Sequence, residues 1–216
     1  MTEIKICGIT NPDDALAAAR AGADALGFIF YPRSPRCVSP KWAREIIAGL
    51  PRGVAKVGVF VNDDPERIEE IAEVCGLDLL QFHGDETPDY CRRFPASMVI
   101  KALSPRTAGD LEGAADYQVR AILVDAFAPG LYGGTGKTSN WELARTIGES
   151  FPLILSGGLN GGNIQDAIAS VSPCAVDINS GVESSPGRKD HDKVREIIEM
   201  IRRSTGGKEA SIFHDH

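Results

Sequence analysis

No two cysteines of this sequence stand in a C-x-x-C spacing; five fall singly at positions 7, 37, 75, 91 and 174. An odd, scattered set argues against a zinc ribbon or a disulfide framework, and it suits free thiols in a reducing cytoplasm. Basic residues are in deficit: 23 Lys and Arg against 30 Asp and Glu leave a formal charge of −7. That balance disfavours a nucleic-acid surface, although a few local donors would still suffice for an anionic small molecule. Long apolar runs are lacking as well, since stretches such as Ala25 to Tyr31 are far too short to cross a bilayer. The opening Met1-Thr2-Glu3-Ile4-Lys5 shows no basic stretch leading into an apolar one, so no signal peptide is expected. His214 and His216 lie in a polar tail and give only a weak metal signal. A Pro/Gly/Ser-rich linker is missing, which points to one domain.

What is present is alternation. Apolar runs that read as strands lie near Ile4–Gly8, Ala25–Phe30, Ala55–Val61, Leu77–His83, Val99–Leu103, Ala121–Ala126, Pro152–Ser156 and Ala175–Asn179. They are apolar on both faces, as parallel strands covered on either side must be. Between them fall amphipathic segments: Asp13–Ala21, Pro40–Gly49, Pro65–Cys75, Thr87–Phe94, Ala108–Ala114, Trp141–Glu149, Asn163–Ser170 and Asp190–Arg203. Asn11-Pro12-Asp13-Asp14 and Asp64-Pro65-Glu66 are helix-start signals. A weak repeat, Ala21-Gly22-Ala23-Asp24 against Cys75-Gly76-Leu77-Asp78, places a glycine where each helix would end in the left-handed conformation. About eight βα units in about 200 residues predict an α/β fold, a single-domain (β/α)8 barrel over residues 1–203, with a flexible C-terminal tail over 204–216. An open doubly wound sheet is the lesser reading, because Cys7-Gly8-Ile9-Thr10 carries one glycine where a dinucleotide site needs three.

In such a barrel the chemistry gathers at the C-terminal ends of the strands. That rule selects Cys7 after the first strand, Arg33 and Arg36 after the second, His83 after the fourth and Asp125 after the sixth. It also selects Ser156-Gly157-Gly158 after the seventh strand, and Asp177, Ser180 and Gly181 at the eighth. The glycine segments at strands seven and eight let backbone N–H groups approach a phosphate. Arg36 can fork onto a planar carboxylate, while Arg33 reads as surface charge. Cys7 on its own would more often be a small buried hydrophobe. Asp125, after Ile122-Leu123-Val124, has to be satisfied or used. Gly133-Gly134-Thr135-Gly136-Lys137-Thr138 misses the nucleotide P-loop spacing because position 131 is Leu131; a loop closing over the mouth is the better reading. Lys5 and Lys101 are expected in the barrel floor, each in a structural ion pair.

Taken in order, Lys5-Ile6-Cys7-Gly8-Ile9-Thr10, Ser34-Pro35-Arg36, Gln81-Phe82-His83-Gly84, Asp125 with Gly-Gly-Thr-Gly, Ser156-Gly157-Gly158-Leu159 and Ser180-Gly181-Val182-Glu183 resemble the phosphoribosylanthranilate isomerase family from Ile4 to about Arg202. Phe82 and Ser139-Asn140 depart from the usual family pattern at positions without an assigned role. The resemblance implies a cofactor-free and metal-free Amadori rearrangement of N-(5-phosphoribosyl)anthranilate in tryptophan biosynthesis, by a cytoplasmic monomer or homodimer. It implies Asp125 as general acid and Cys7 as general base, Arg36 on the anthranilate carboxylate, and Gly157, Gly158, Ser180 and Gly181 around the phosphate. Ordinary values for a thiol and a carboxyl, roughly 8.5 and 3.9, put thiolate plus neutral acid about 6 kcal/mol uphill. Desolvating the acid and placing positive charge near the thiol would reduce that gap, with Lys5 a candidate source. Competing expectations are a sister phosphosugar isomerase of histidine biosynthesis, which pairs two aspartates, indole-glycerol-phosphate synthase, which relies on lysines and a glutamate, and a non-catalytic phosphosugar-binding barrel.

Overall fold

The computed structural model describes residues 1–125, 137–204 and 211–213, and for residue 112 and residues 137–140 the backbone alone. Eight parallel strands close into a barrel in chain order: β1 (Glu3–Ile6), β2 (Ala25–Ile29), β3 (Ala55–Phe60), β4 (Leu79–Phe82), β5 (Val99–Leu103), β6 (Ala121–Asp125), β7 (Leu153–Ser156) and β8 (Ala175–Ile178). Closure is made by β1 pairing with β8, where Lys5 stands beside Asp177. The expected (β/α)8 architecture is what the chain adopts. No helix among the described residues is long and apolar enough to cross a membrane.

The helices are α1 (Pro12–Ala21), α2 (Pro40–Ala48), α3 (Pro65–Cys75), a single turn α4 (Pro88–Cys91), α5 (Lys137–Ile147), α6 (Ile164–Val171) and α7 (His191–Arg203). Four of them start alike. Asn11, Ser39, Asp64 and Thr87 each accept a backbone N–H of the first turn, and a proline occupies the first helical position behind each. The cap satisfies a donor that the helix cannot, and proline has no donor to lose there. Gly22 and Gly76 end α1 and α3 in the left-handed region, with φ of 101° and 62°. This is the conformation that the internal repeat predicts.

Two connections differ from expectation. The fifth is a 3₁₀ stretch over Ala108–Asp116 in place of an α-helix. Gly109 and Gly113 each cost about 1 kcal/mol in an α-helix, so the segment has little to gain from the longer-range ladder. After β8 the chain also makes a small hairpin, β9 (Glu183–Ser185) against β10 (Arg188–Lys189), before α7 begins. No strand-like run announces it.

Alternation along the strands builds two cores. Outward residues such as Ile4, Ile6, Phe28, Phe82, Ile122 and Val176 pack under the helices. Inward residues, among them Ala25, Ala55, Val57, Leu79, Ile100, Leu123 and Ile154, fill the barrel. Lys5 points inward and Lys101 does not, which corrects one expectation. Ile100 and Ala102 take the inward positions of β5, so Lys101 faces the helical layer and reaches Glu86 at 2.9 Å. Both lysines are in buried ion pairs, as expected.

The segment beyond α7 is anchored in part. Ile212 and Phe213 are buried in the inward core, and Glu3 accepts their backbone N–H groups at 2.7 and 3.2 Å. Arg120 donates to the Ile212 carbonyl. The tail thus returns to the N-terminal end of the barrel, opposite the expected site. His214 and His216 lie outside the described residues.

Candidate active site

At the C-terminal ends of the strands the barrel opens into a cavity of about 370 Å³. Cys7, Arg36, Asp125, Gly157, Gly158 and Ser180 all line it, and so do His83 and Asp177. Strand order explains the convergence. β6, β7, β8 and β1 are consecutive neighbours, so Asp125 and Cys7 stand three strands apart on one rim, with the two glycine loops between them. Gly181 is the exception among the expected residues. It does not line the cavity: a Cβ there would lie 1.9 Å from the Leu159 carbonyl oxygen, so its role is to let loop eight pack against loop seven. Arg33 is exposed and stands away from the cavity lining. The glycine-rich segment Gly133–Gly136, expected to close over the mouth, lies outside the described residues.

Cys7 continues the inward face of β1, two residues beyond Lys5, and is buried against Ile29 and Val59. Desolvation pushes its thiol above the ordinary range; Lys5 and Lys189 pull the other way, and Asp177 adds to the rise. The buried thiol is therefore neutral in the free protein, with cations in place to favour the thiolate once its proton has somewhere to go. Lys5 is fully buried and donates to Asp177 at 2.8 Å. Burial alone would neutralise such a lysine, but the pairing with Asp177 above all holds its pKa above the ordinary value. Lys5 is thus a fixed cation near the thiol, partly offset by Asp177, as well as half of a structural bridge.

Asp125 ends β6 with its side chain 31% exposed, and His83 Nε2 lies 3.9 Å from its Oδ2. The other nitrogen of that ring, Nδ1, is 2.8 Å from Gln81 Nε2. Two acceptors in the cavity wall, Gln81 Oε1 and Asp177 Oδ1, are buried with no hydrogen-bond partner among the described residues. Leaving a buried acceptor unmet is costly, so each is a natural seat for a hydroxyl donor.

Loops seven and eight present backbone donors. Gly157 and Gly158 have φ of 95° and 64°, consecutive positions that side chains rarely adopt. The Asn160 and Asn163 amides both donate to the Gly158 carbonyl, at 2.9 and 3.0 Å, and so fix the loop from behind. Among the described residues no acceptor takes the N–H groups of Gly157, Gly158 or Ser180.

Arg36 is less free than a lone arginine in a loop would suggest. Its Nε and Nη2 donate to Glu183 Oε1 and Oε2 at 2.8 and 2.6 Å. Glu183 in turn accepts from Lys189 Nζ at 3.1 Å. Sequence reasoning gave neither Glu183 nor Lys189 a role, since only the unannounced hairpin brings them to Arg36.

Comparison with known proteins agrees with this geometry. Residues 4–200 match the family model for N-(5'-phosphoribosyl)anthranilate isomerase. An enzyme of that name from Syntrophus aciditrophicus is 59% identical over 97% of this chain and 91% of its own length. The phosphoribosyl anthranilate isomerase structure from Thermotoga maritima superposes with a TM-score of 0.85 at 46% identity, covering 94% of this chain and 99% of that one. A further phosphoribosyl anthranilate isomerase was solved in complex with reduced 1-(o-carboxyphenylamino)-1-deoxyribulose 5-phosphate. It superposes at 0.82 with 44% identity, over 92% of this chain and 97% of its own. A barrel whose thiol, carboxyl and glycine loops share one cavity, and whose whole sequence follows these relatives, belongs to the phosphoribosylanthranilate isomerase family.

Proposed function

We propose that this chain converts N-(5-phosphoribosyl)anthranilate to 1-(2-carboxyphenylamino)-1-deoxyribulose 5-phosphate with Asp125 as general acid and Cys7 as general base. The observation that supports this assignment is the shared cavity: thiol and carboxyl line the same space, with the two glycine loops between them. The phosphate would sit on the N–H groups of Gly157, Gly158 and Ser180, and Arg36 would face the anthranilate carboxylate. Ribose hydroxyls would meet the unpartnered oxygens of Gln81 and Asp177.

The reaction then runs on two proton transfers. Asp125 delivers a proton to the furanose ring oxygen as the C1–O bond breaks, and the substrate nitrogen takes up the cation as an iminium. That charge acidifies the hydrogen on C2. Cys7 removes it, the electron pair falls into the C1–C2 bond, and an enolamine forms. Tautomerisation gives the ketone, so the nitrogen serves as the electron sink and the protein supplies only acid, base and orientation. A bound sugar would cover the exposed third of Asp125 and exclude water from its carboxyl. The iminium and the Lys5 ammonium together favour a thiolate at Cys7.

Fluorescence-detected consumption of freshly made phosphoribosylanthranilate tests the assignment. Asp125→Asn should lose turnover by about 10² to 10⁴-fold while still binding the reduced product analogue, because it removes the acid and keeps the shape. Turnover close to that of the unchanged protein would take the acid role away from Asp125.

A further inference from the structure

Glu183 opens the hairpin that follows β8, and its carboxylate is surrounded by donors. Besides the two bonds from Arg36, Lys189 Nζ lies 3.1 Å from Oε1 and the Gly187 N–H donates to the same oxygen at 3.2 Å. The Glu183 side chain is 5% exposed and that of Lys189 0%, whereas Arg36 reaches 19% and lines the cavity. Burial opposes ionisation of Glu183, but the bonds from Arg36 and Lys189 outweigh it and hold its pKa below the ordinary value. Lys189 is itself tied down, by the Asn179 carbonyl and Oδ1 through Nζ and by Asp14 through its backbone N–H. For Glu183 to swing away, an ammonium would be left unpaired in the interior, which costs several kcal/mol.

A guanidinium carries five N–H groups in one plane. Glu183 engages the Nε and Nη2 edge, and among the described residues Nη1 donates to nothing. Because the fork is rigid, fixing one edge fixes the direction of the other. Two cations and one anion leave the cluster with a single positive charge, which suits one further carboxylate.

We propose that Glu183 is a positioning residue for substrate selection: it grips Arg36 by one edge and aims the free Nη1 edge at the aromatic carboxylate of the substrate. This rests on the isomerase reading above and adds the element that makes the arginine selective. Glu183 does not compete for the site, because Lys189 and Gly187 retain it when the ligand arrives.

The test compares two ligands on the full-length protein, the reduced product analogue and its counterpart with phenyl in place of carboxyphenyl. Glu183→Gln keeps the shape but cannot accept both Arg36 bonds. It should weaken binding of the carboxylated analogue about 10-fold, leave the phenyl analogue within about twofold, and raise KM far more than it lowers kcat. Glu183→Asp, one methylene short, should move the same quantities in the same direction, and it supplies the comparison if the glutamine variant does not fold. Equal losses for both ligands would overturn the proposal by reducing Glu183 to a structural role. Tighter binding of the carboxylated analogue would overturn it too, by showing that Glu183 occupies the place of the ligand. Absence of turnover by the unchanged protein would count against the isomerase reading alone, since the two-ligand comparison needs no catalysis.

Discussion

The immediate neighbour of the thiol is a residue without a side chain. A Cβ on Gly27 would come within 2.7 Å of Cys7 Sγ, closer than real Cβ atoms essentially ever stand, and within 3.1 Å of its Cα, tighter than nearly all real contacts. Gly27→Ala must therefore turn the sulfur aside or push β2 away from β1, and either change misplaces the proposed base, which would have to reach one C–H bond. A misplacement of about 1 Å can cost on the order of 100-fold, so turnover should fall at least 10-fold while the protein remains folded by circular dichroism. Unchanged turnover would mean that the strand yields at no cost. Legibility varies at this scale. Cys7 and Asp125 are visible in the sequence because a reactive group directly after an apolar strand is conspicuous. Their settings are not. Lys5 meets Asp177 across 172 positions and Arg36 meets Glu183 across 147, and no local pattern carries information over such separations.

Among the elements, those with strong local chemistry follow the sequence closely. A capping side chain followed by proline marks the start of α1, α2, α3 and α4, and left-handed glycines close α1 and α3. α6 lacks such a glycine. Its last turn is closed by Ser172 at φ 50°, a conformation that costs an L-residue roughly 1 kcal/mol. Ser172→Gly relieves that strain at the expense of some freedom in the unfolded chain. The net should be a gain of roughly 0.5 kcal/mol, seen as a rise of about 1–2 °C in the unfolding midpoint for a domain of this size. A fall in the midpoint would show that the serine hydroxyl contributes more than the strain costs. The fifth connection and the hairpin after β8 were not legible in helical or strand form. Two glycines weaken one, and the other spans only three and two residues per strand, too short for periodicity to register.

On the scale of the whole molecule, the two ends of the barrel have divided roles. The open end holds the reactive groups, and the other end is sealed by the returning C-terminal segment. Phe213 is 5% exposed inside the barrel core, and Glu3 and Arg120 hold the backbone beside it. Phe213→Ala should cost about 3 kcal/mol, read as a lower urea midpoint with an unchanged slope, while kcat stays close to that of the parent. An equal loss of kcat would connect the sealed end to the catalytic end; an unchanged midpoint would leave the plug without a stabilising role. A polar segment beyond the last amphipathic helix reads as a free tail, because its few apolar residues reveal their partners only when the barrel floor is in place.

The sequence by itself determined the barrel, since eight two-sided apolar runs alternating with capped amphipathic helices bury their surface economically in a closed parallel sheet. It marked Cys7, Asp125 and the glycine loops for one cavity as well, because the fold brings strand ends together and those residues occupy them. Tertiary structure alone decided which way Lys101 faces, what Gly181 packs against, where the tail goes and what grips Arg36. Each of these depends on side chains that meet only after closure, and burial then makes their pairing compulsory: a charge or hydrogen-bonding group removed from water must find a partner within the fold.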